Sequence, residues 1–168
     1  MGAGKTTIGK VLARQLGYEF RDLDLVIECQ QGKRIPDIFA DEGEVRFREL
    51  ERDALRDICR MESAVIAVGG GTPCFHDNME YMNRHAITIY LKASVDTLIE
   101  HIHISSKSHG PNRPLLHGMD DRQMRDFISA NLPAREQFYS QATHVIDIEV
   151  LRTEEQISET AKKISSLL

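Results

Sequence analysis

The chain has 168 residues, 41% of them hydrophobic and 28% charged, with a formal net charge of −5. That length is one domain with room for a real core, in the composition range of soluble globular proteins. The acidic balance excludes a nonspecific nucleic-acid binder. No apolar run reaches membrane-span length, and the N-terminus lacks signal-peptide architecture. Cys29, Cys59 and Cys74 are odd in number and show no metal spacing, so they are expected as reduced thiols in a cytoplasmic protein.

The chain opens on Met1-Gly2-Ala3-Gly4-Lys5-Thr6-Thr7. This is the second half of the phosphate-binding pattern G-x-x-x-x-G-K-[ST], whose backbone N–H groups cradle phosphates. Gly2, Ala3, Gly4, Lys5, Thr6 and Thr7 are therefore candidate nucleotide-binding residues. The pattern's first Gly would fall upstream of Met1. The segment runs into an expected helix from Gly4 to Leu16, stopped by Gly17, whose N-terminus would face the anion. A Gly-rich tail before an ordinary helix is the plainer alternative.

Tyr18–Asp22 is read as a short strand, Leu23–Gln31 as a helix and Ile35–Phe39 as a helical turn with Pro36 near its start. Residues 42–61 form a long helix with apolar positions at Val45, Leu50, Leu55, Ile58 and Cys59. Ala64–Val68 is a β-branched run suited to a strand buried on both faces, ending at Gly69-Gly70-Gly71. A helix at 76–84, a strand at 86–91 and a helix at 95–104 follow. Ser105–Gly118 is polar and reads as a mobile loop. Residues 119–141 are helical with an interruption near Pro133, 144–147 is a last strand and 153–168 a closing helix. Strands separated by helices predict an α/β fold with a parallel sheet and right-handed crossovers. Ligands in such sheets bind beyond the carboxyl ends of the strands.

Asp22 and Asp24 close the second segment as Asp-Leu-Asp. On an extended segment they would point to the same side and could serve one metal and one substrate, or be a pair of solvated acids. Arg48 and Glu51 are three apart on a helix, so they share a face, and the carboxylate could hold the guanidinium for an anionic substrate. A solvated charged face is the alternative. Gly69-Gly70-Gly71 permits close backbone approach to a ligand. Arg113 lies in the polar loop, where it could act as an arginine finger, and Arg135 carries the same ambiguity between solvation and function. His101 and His103 are two apart, which on a helix does not make a metal pair.

Taken in order, Met1–Thr7, Asp22-Leu-Asp24, Gly43-Glu44 through Arg48 to Glu51, Gly69-Gly-Gly71, Arg113-Pro-Leu-Leu116 and Arg135 before Phe138-Tyr139 make the chain resemble shikimate kinases along essentially its whole length. The resemblance implies a three-layer P-loop kinase fold with a central parallel sheet and helices on both faces. It implies phosphoryl transfer from ATP, with Mg²⁺, to the 3-hydroxyl of shikimate. Lys5 would bridge the β/γ-phosphates, Thr6 would ligate Mg²⁺ and Asp22 would reach it through water. Asp24 would bind the substrate hydroxyls and take the proton. Arg48 and Arg135 would clamp the carboxylate, Gly69, Gly70 and Gly71 would line the substrate, and Arg113 would come from a lid at about 105–118. The region 23–61 would be the substrate-binding helices. The resemblance also implies a cytoplasmic monomer with no nucleic-acid or membrane partner.

Three departures from the family pattern stand out. The opening strand and first P-loop Gly are missing from this chain, so apolar sheet edges should be exposed, and a start at an internal Met or a truncation is the expectation. A lid Arg that stacks on adenine has His103 in its place. The adenine-loop Pro is absent, with Arg152-Thr153 there instead. The alternative functions are another small-metabolite P-loop kinase, such as a gluconate kinase, or a P-loop protein that binds nucleotide without turnover.

Overall fold

The computed structural model describes residues 2–109 and 118–168, with side chains at 107–109 outside the description. In chain order the elements are α1 (Lys5–Leu16), β1 (Glu19–Asp22), α2 (Leu23–Gln31), α3 (Ile35–Ile58), β2 (Ala64–Ala67), a 3₁₀ turn (Thr72–Cys74), α4 (Asn78–His85), β3 (Ile89–Lys92), α5 (Val95–His109), α6 (Asp121–Tyr139), β4 (His144–Asp147) and α7 (Glu154–Ser165). All strand pairing among the described residues is parallel: β1 with β2, register Glu19 to Ala64, and β3 with β4, register Ile89 to His144.

Helices cover the strands on both faces. Along β2, Val65 packs into the cluster of Ile8, Leu12, Ile146 and Ile164, which joins α1 to α7. Its neighbour Ile66 packs into the opposite cluster of Leu23, Ile27, Ile38, Leu55 and Met79, which joins α2, α3 and α4. The period-two alternation of a strand thus divides one β-branched run between two cores. Leu98, Ile99 and Ile102 of α5 meet Met124 and Ile128 of α6 in a third cluster. Helix α1 sits close on the sheet because residue 9 is Gly; a Cβ there would stand 2.8 Å from the Phe20 ring.

β2 and β3 are not hydrogen-bonded to each other among the described residues. An apolar cavity of about 620 Å³ is lined by both, with Val65, Ile66 and Val68 on one side and Ile89, Tyr90 and Leu91 on the other. The apolar edges expected from the sequence face each other across it.

Several element boundaries differ from the sequence expectation. Helix α3 joins the expected turn and long helix into one element, but Gly43 (φ 81, ψ 173) breaks the helical backbone between them. Val45, expected to face the core, is 78% exposed, and Phe47 takes the buried position two residues on at 4%. The strand expected at 86–91 is shifted to Ile89–Lys92, because Thr88 instead locks to Thr143 ahead of the β3–β4 ladder. Helix α6 runs through Pro133 without interruption. A single proline removes one N–H donor, and a 19-residue helix absorbs that loss. Of the segment expected to be a mobile loop, Ser105–His109 continues α5, and residues 110–117 lie outside the described residues.

Candidate active site

The phosphate loop ends on Gly4, the left-handed N-cap of α1 at φ 75. Gly4 offers no side-chain cap, and the helix N-terminus it opens is the kind of end that binds anions in a phosphate loop. Gly2 is also left-handed, at φ 74. Lys5 and Thr6 begin α1, and Thr6 and Thr7 are exposed on its first turn.

Thr6 donates its hydroxyl to Asp22 Oδ2 at 3.1 Å. The two expected metal-site oxygens are therefore neighbours, although they come from different elements. Asp22 is not one of two acids on an extended segment. It is the N-cap of α2, and its Oδ1 accepts from the Asp24 backbone N–H at 3.2 Å. The helix begins immediately, so Asp24 sits in its first turn. Helix capping brings the two carboxylates together in place of the expected strand alternation.

Burial pushes Asp24 above the ordinary carboxylate value, and repulsion from Asp22 and Glu51 adds to this, while Lys5 pulls it back. Its Oδ1 lies 3.2 Å from where a Cβ on Gly69 would stand, with Thr72 Oγ1 at 3.1 Å and Glu51 Oε1 at 3.4 Å. Any side chain at 69 would intrude on this polar cluster.

The Arg48–Glu51 pair forms as the helical spacing predicts. Arg48 Nη1 donates to Glu51 Oε2 at 2.8 Å, and its Nη2 donates to Glu44 Oε1 at 3.0 Å. Glu51 is 1% exposed, and its second oxygen accepts the Thr72 hydroxyl at 2.6 Å. Thr72 in turn is held by Asn78, whose Nδ2 donates to the Thr72 carbonyl at 2.9 Å. The guanidinium stacks on Phe75 at 3.9 Å from the ring centroid. It covers Gly71 so closely that a Cβ there would lie 2.9 Å from both terminal nitrogens.

Gly70 turns its carbonyl toward α6, where the Tyr139 hydroxyl donates to it. Burial raises the Tyr139 phenol above its ordinary value, and the positive charge of Arg135 opposes that shift. Burial raises the Cys74 thiol above its ordinary value, and the positive charges of Arg135 and Arg48 oppose that shift. The structure thus gathers Lys5, Thr6, Asp22, Asp24, Arg48, Gly69, Gly70, Gly71 and Arg135 about the carboxyl ends of β1 and β2. Arg113 lies outside the described residues. His103, expected near adenine, pairs its Nε2 with Asp121 at 2.8 Å. Arg152 pairs with Glu100 across the start of α7.

Thr72, Asn78, Phe75 and Tyr139 join the site without any sequence expectation. They brace Glu51, Arg48 and Gly70, and the one linear cue is that they flank the triple glycine or Arg135.

A sequence model of shikimate kinases matches residues 1–165. The chain belongs to the shikimate kinase family. The shikimate kinase of Bacteroides thetaiotaomicron is 41% identical over 168 residues, covering all of this chain and 94% of that protein. The one from Parabacteroides distasonis is 40% identical, covering 100% of this chain and 95% of that protein. The crystal structure of the B. thetaiotaomicron enzyme superposes with TM-score 0.93, covering 99% of this chain and 93% of that one. Shikimate kinase from Acinetobacter baumannii, solved in complex with shikimate, is 33% identical with TM-score 0.78, covering 99% of this chain and 87% of that one. These matches do not favour a gluconate kinase. No helix among the described residues is long and apolar enough to cross a membrane.

Proposed function

We propose that this chain transfers the γ-phosphoryl group of ATP to the 3-hydroxyl of shikimate, giving ADP and shikimate 3-phosphate. The observation that carries this reading is the placement of Asp24. Its carboxylate lies against the triple glycine, within the field of the phosphate-loop Lys5 on one side and beside the Glu51 that holds Arg48 on the other. Family membership supports ATP as donor, and the A. baumannii complex supports shikimate as acceptor.

Phosphoryl transfer needs positioning and charge neutralisation more than covalent chemistry. The N–H groups of Gly2, Ala3, Gly4 and the first turn of α1, including Thr6 and Thr7, bind phosphate oxygens, and Lys5 neutralises the outer phosphates. Arg48 and Arg135 hold the substrate carboxylate, with Glu51 fixing the Arg48 fork. Backbone at Gly69, Gly70 and Gly71 admits the ring. Asp24 accepts the hydroxyl proton, a step its raised affinity for protons favours. Arg113 supplies positive charge from the lid. Thr6 and Asp22 would hold Mg²⁺, and their hydroxyl–carboxylate pair fits an ion that takes one or two protein oxygens and completes its shell with phosphates and water. When bound, Mg²⁺ supplies charge stabilisation to the transferring group.

We further read the chain as a single domain with its substrate helices at 23–61, acting as a cytoplasmic monomer. Phosphorus NMR of a reaction with Mg-ATP and shikimate tests the proposal. A new phosphomonoester resonance that grows with ADP supports it; ADP with inorganic phosphate alone overturns it.

A further inference from the structure

His101 is 7% exposed on α5, far in sequence from every residue assigned above except Arg113. Its Nε2 accepts the Leu151 backbone N–H at 2.8 Å. That bond requires Nε2 to be unprotonated, so the proton of the neutral ring is on Nδ1. Nδ1 lies 2.7 Å from the Gly2 carbonyl and therefore donates to it. One tautomer satisfies both bonds, and the ring spans from the phosphate loop to the segment after β4.

We infer that His101 is a positioning residue for the nucleotide, setting the phosphate loop through the Gly2 carbonyl and tying it to residues 148–152. Among the described residues the peptides are all trans, and in a trans peptide the carbonyl and the following N–H point in opposite directions. Holding the Gly2 carbonyl against α5 thus turns the Ala3 N–H away from α5. The loop has no room to settle otherwise on that side: a Cβ on Gly2 would stand 2.9 Å from the Leu98 carbonyl oxygen and 3.3 Å from Ile102 Cγ1. On its other side Leu151 Cδ1 approaches the Cβ position of Gly4 at 3.4 Å. The bridge therefore clamps the loop between α5 and the 148–152 segment, and the loop is the nucleotide's phosphate site in the reading above. This inference rests on that reading.

The test measures ADP and shikimate binding separately by calorimetry for the parent, His101→Phe and His101→Gln. Phe keeps a ring of similar shape without either nitrogen, and Gln restores one donor and one acceptor. Loss of a buried hydrogen-bonding pair predicts about tenfold weaker ADP binding for His101→Phe, partial recovery for His101→Gln and shikimate affinity within about twofold of the parent. A purely structural role would weaken both ligands together or leave both affinities intact while lowering the melting temperature, and either result overturns the inference. Long-range ¹H–¹⁵N NMR of the parent gives a test independent of any variant's folding: protonated Nδ1 with bare Nε2 is expected, and the opposite tautomer refutes the bridge. If the parent binds no ADP, the nucleotide-site reading fails and takes the inference with it. Equal ADP binding by all three proteins overturns the inference alone.

Discussion

Glu51→Gln should separate support of the site from its chemistry. Glu51 is 1% exposed and uses both oxygens, one for Arg48 at 2.8 Å and one for Thr72 at 2.6 Å. In the variant, one end of the amide still accepts from Thr72. The other end presents N–H groups to the Arg48 guanidinium, which loses its buried counter-charge. Removing one partner of a buried pair costs about 3–5 kcal/mol. Arg48 retains Glu44 on its open side, and its own side chain is 14% exposed, so the lower end applies. A loss of about 3 kcal/mol in a chain of this size corresponds to roughly 6–12 °C in melting temperature, or about 1.5 M in urea midpoint at a slope of about 2 kcal/mol/M. The assay is a urea melt followed by circular dichroism, with shikimate affinity measured on the same preparation. Shikimate should bind at least about tenfold more weakly, because the Arg48 fork is no longer held. A variant that melts with the parent and binds shikimate equally well would refute the argument that Glu51 holds Arg48.

Asp24→Asn should lower kcat by about 10²–10⁴-fold, the usual contribution of a general base, with ADP affinity retained. The same variant should be more stable than the parent at neutral pH. The folded-state pKa of Asp24 is raised, so its charged form opposes folding from the unfolded value upward, and this penalty disappears as pH falls below the ordinary carboxylate range. Melts at neutral pH and at about pH 3 check the sign. Gly71→Ala places a methyl 2.9 Å from the Arg48 terminal nitrogens, which should raise the shikimate KM several-fold with little change in the KM for ATP in steady-state kinetics. Arg48→Lys replaces a two-pronged donor with a point charge and should raise the shikimate KM by about 10–100-fold while the KM for ATP holds. Chelating Mg²⁺ with EDTA should abolish turnover without lowering the melting temperature of the free protein, since Thr6 and Asp22 already satisfy each other.

Legibility of this site in the sequence follows the range of the interactions. The Arg48–Glu51 pair is readable because three residues of helix fix two side chains on one face. Gly69-Gly70-Gly71 is readable because glycine after a buried strand has few other uses. The geometry of Asp22 and Asp24 misleads, since Asp22 both ends β1 and caps α2, so the extended segment stops before Asp24. Thr72 and Asn78 are invisible because their importance is entirely tertiary: Thr72 counts through Glu51, 21 positions away, Asn78 counts through Thr72, and nothing local marks either. Val45 reads as core because it is apolar on a helix, whereas the buried face runs through Phe47, Glu51, Leu55 and Ile58, and a position two residues from Phe47 lies on the opposite side of the turn. The spacing of His101 and His103 argues against a metal pair, but the bridge from Gly2 to Leu151 joins three distant segments and has no sequence signature.

Coupled ADP release with Mg-ATP, comparing shikimate, gluconate and no acceptor, tests the assignment of shikimate as the phosphoryl acceptor. A rate that appears only with shikimate is the predicted result. A gluconate-dependent rate, or nucleotide binding with no acceptor-dependent rate, would contradict it.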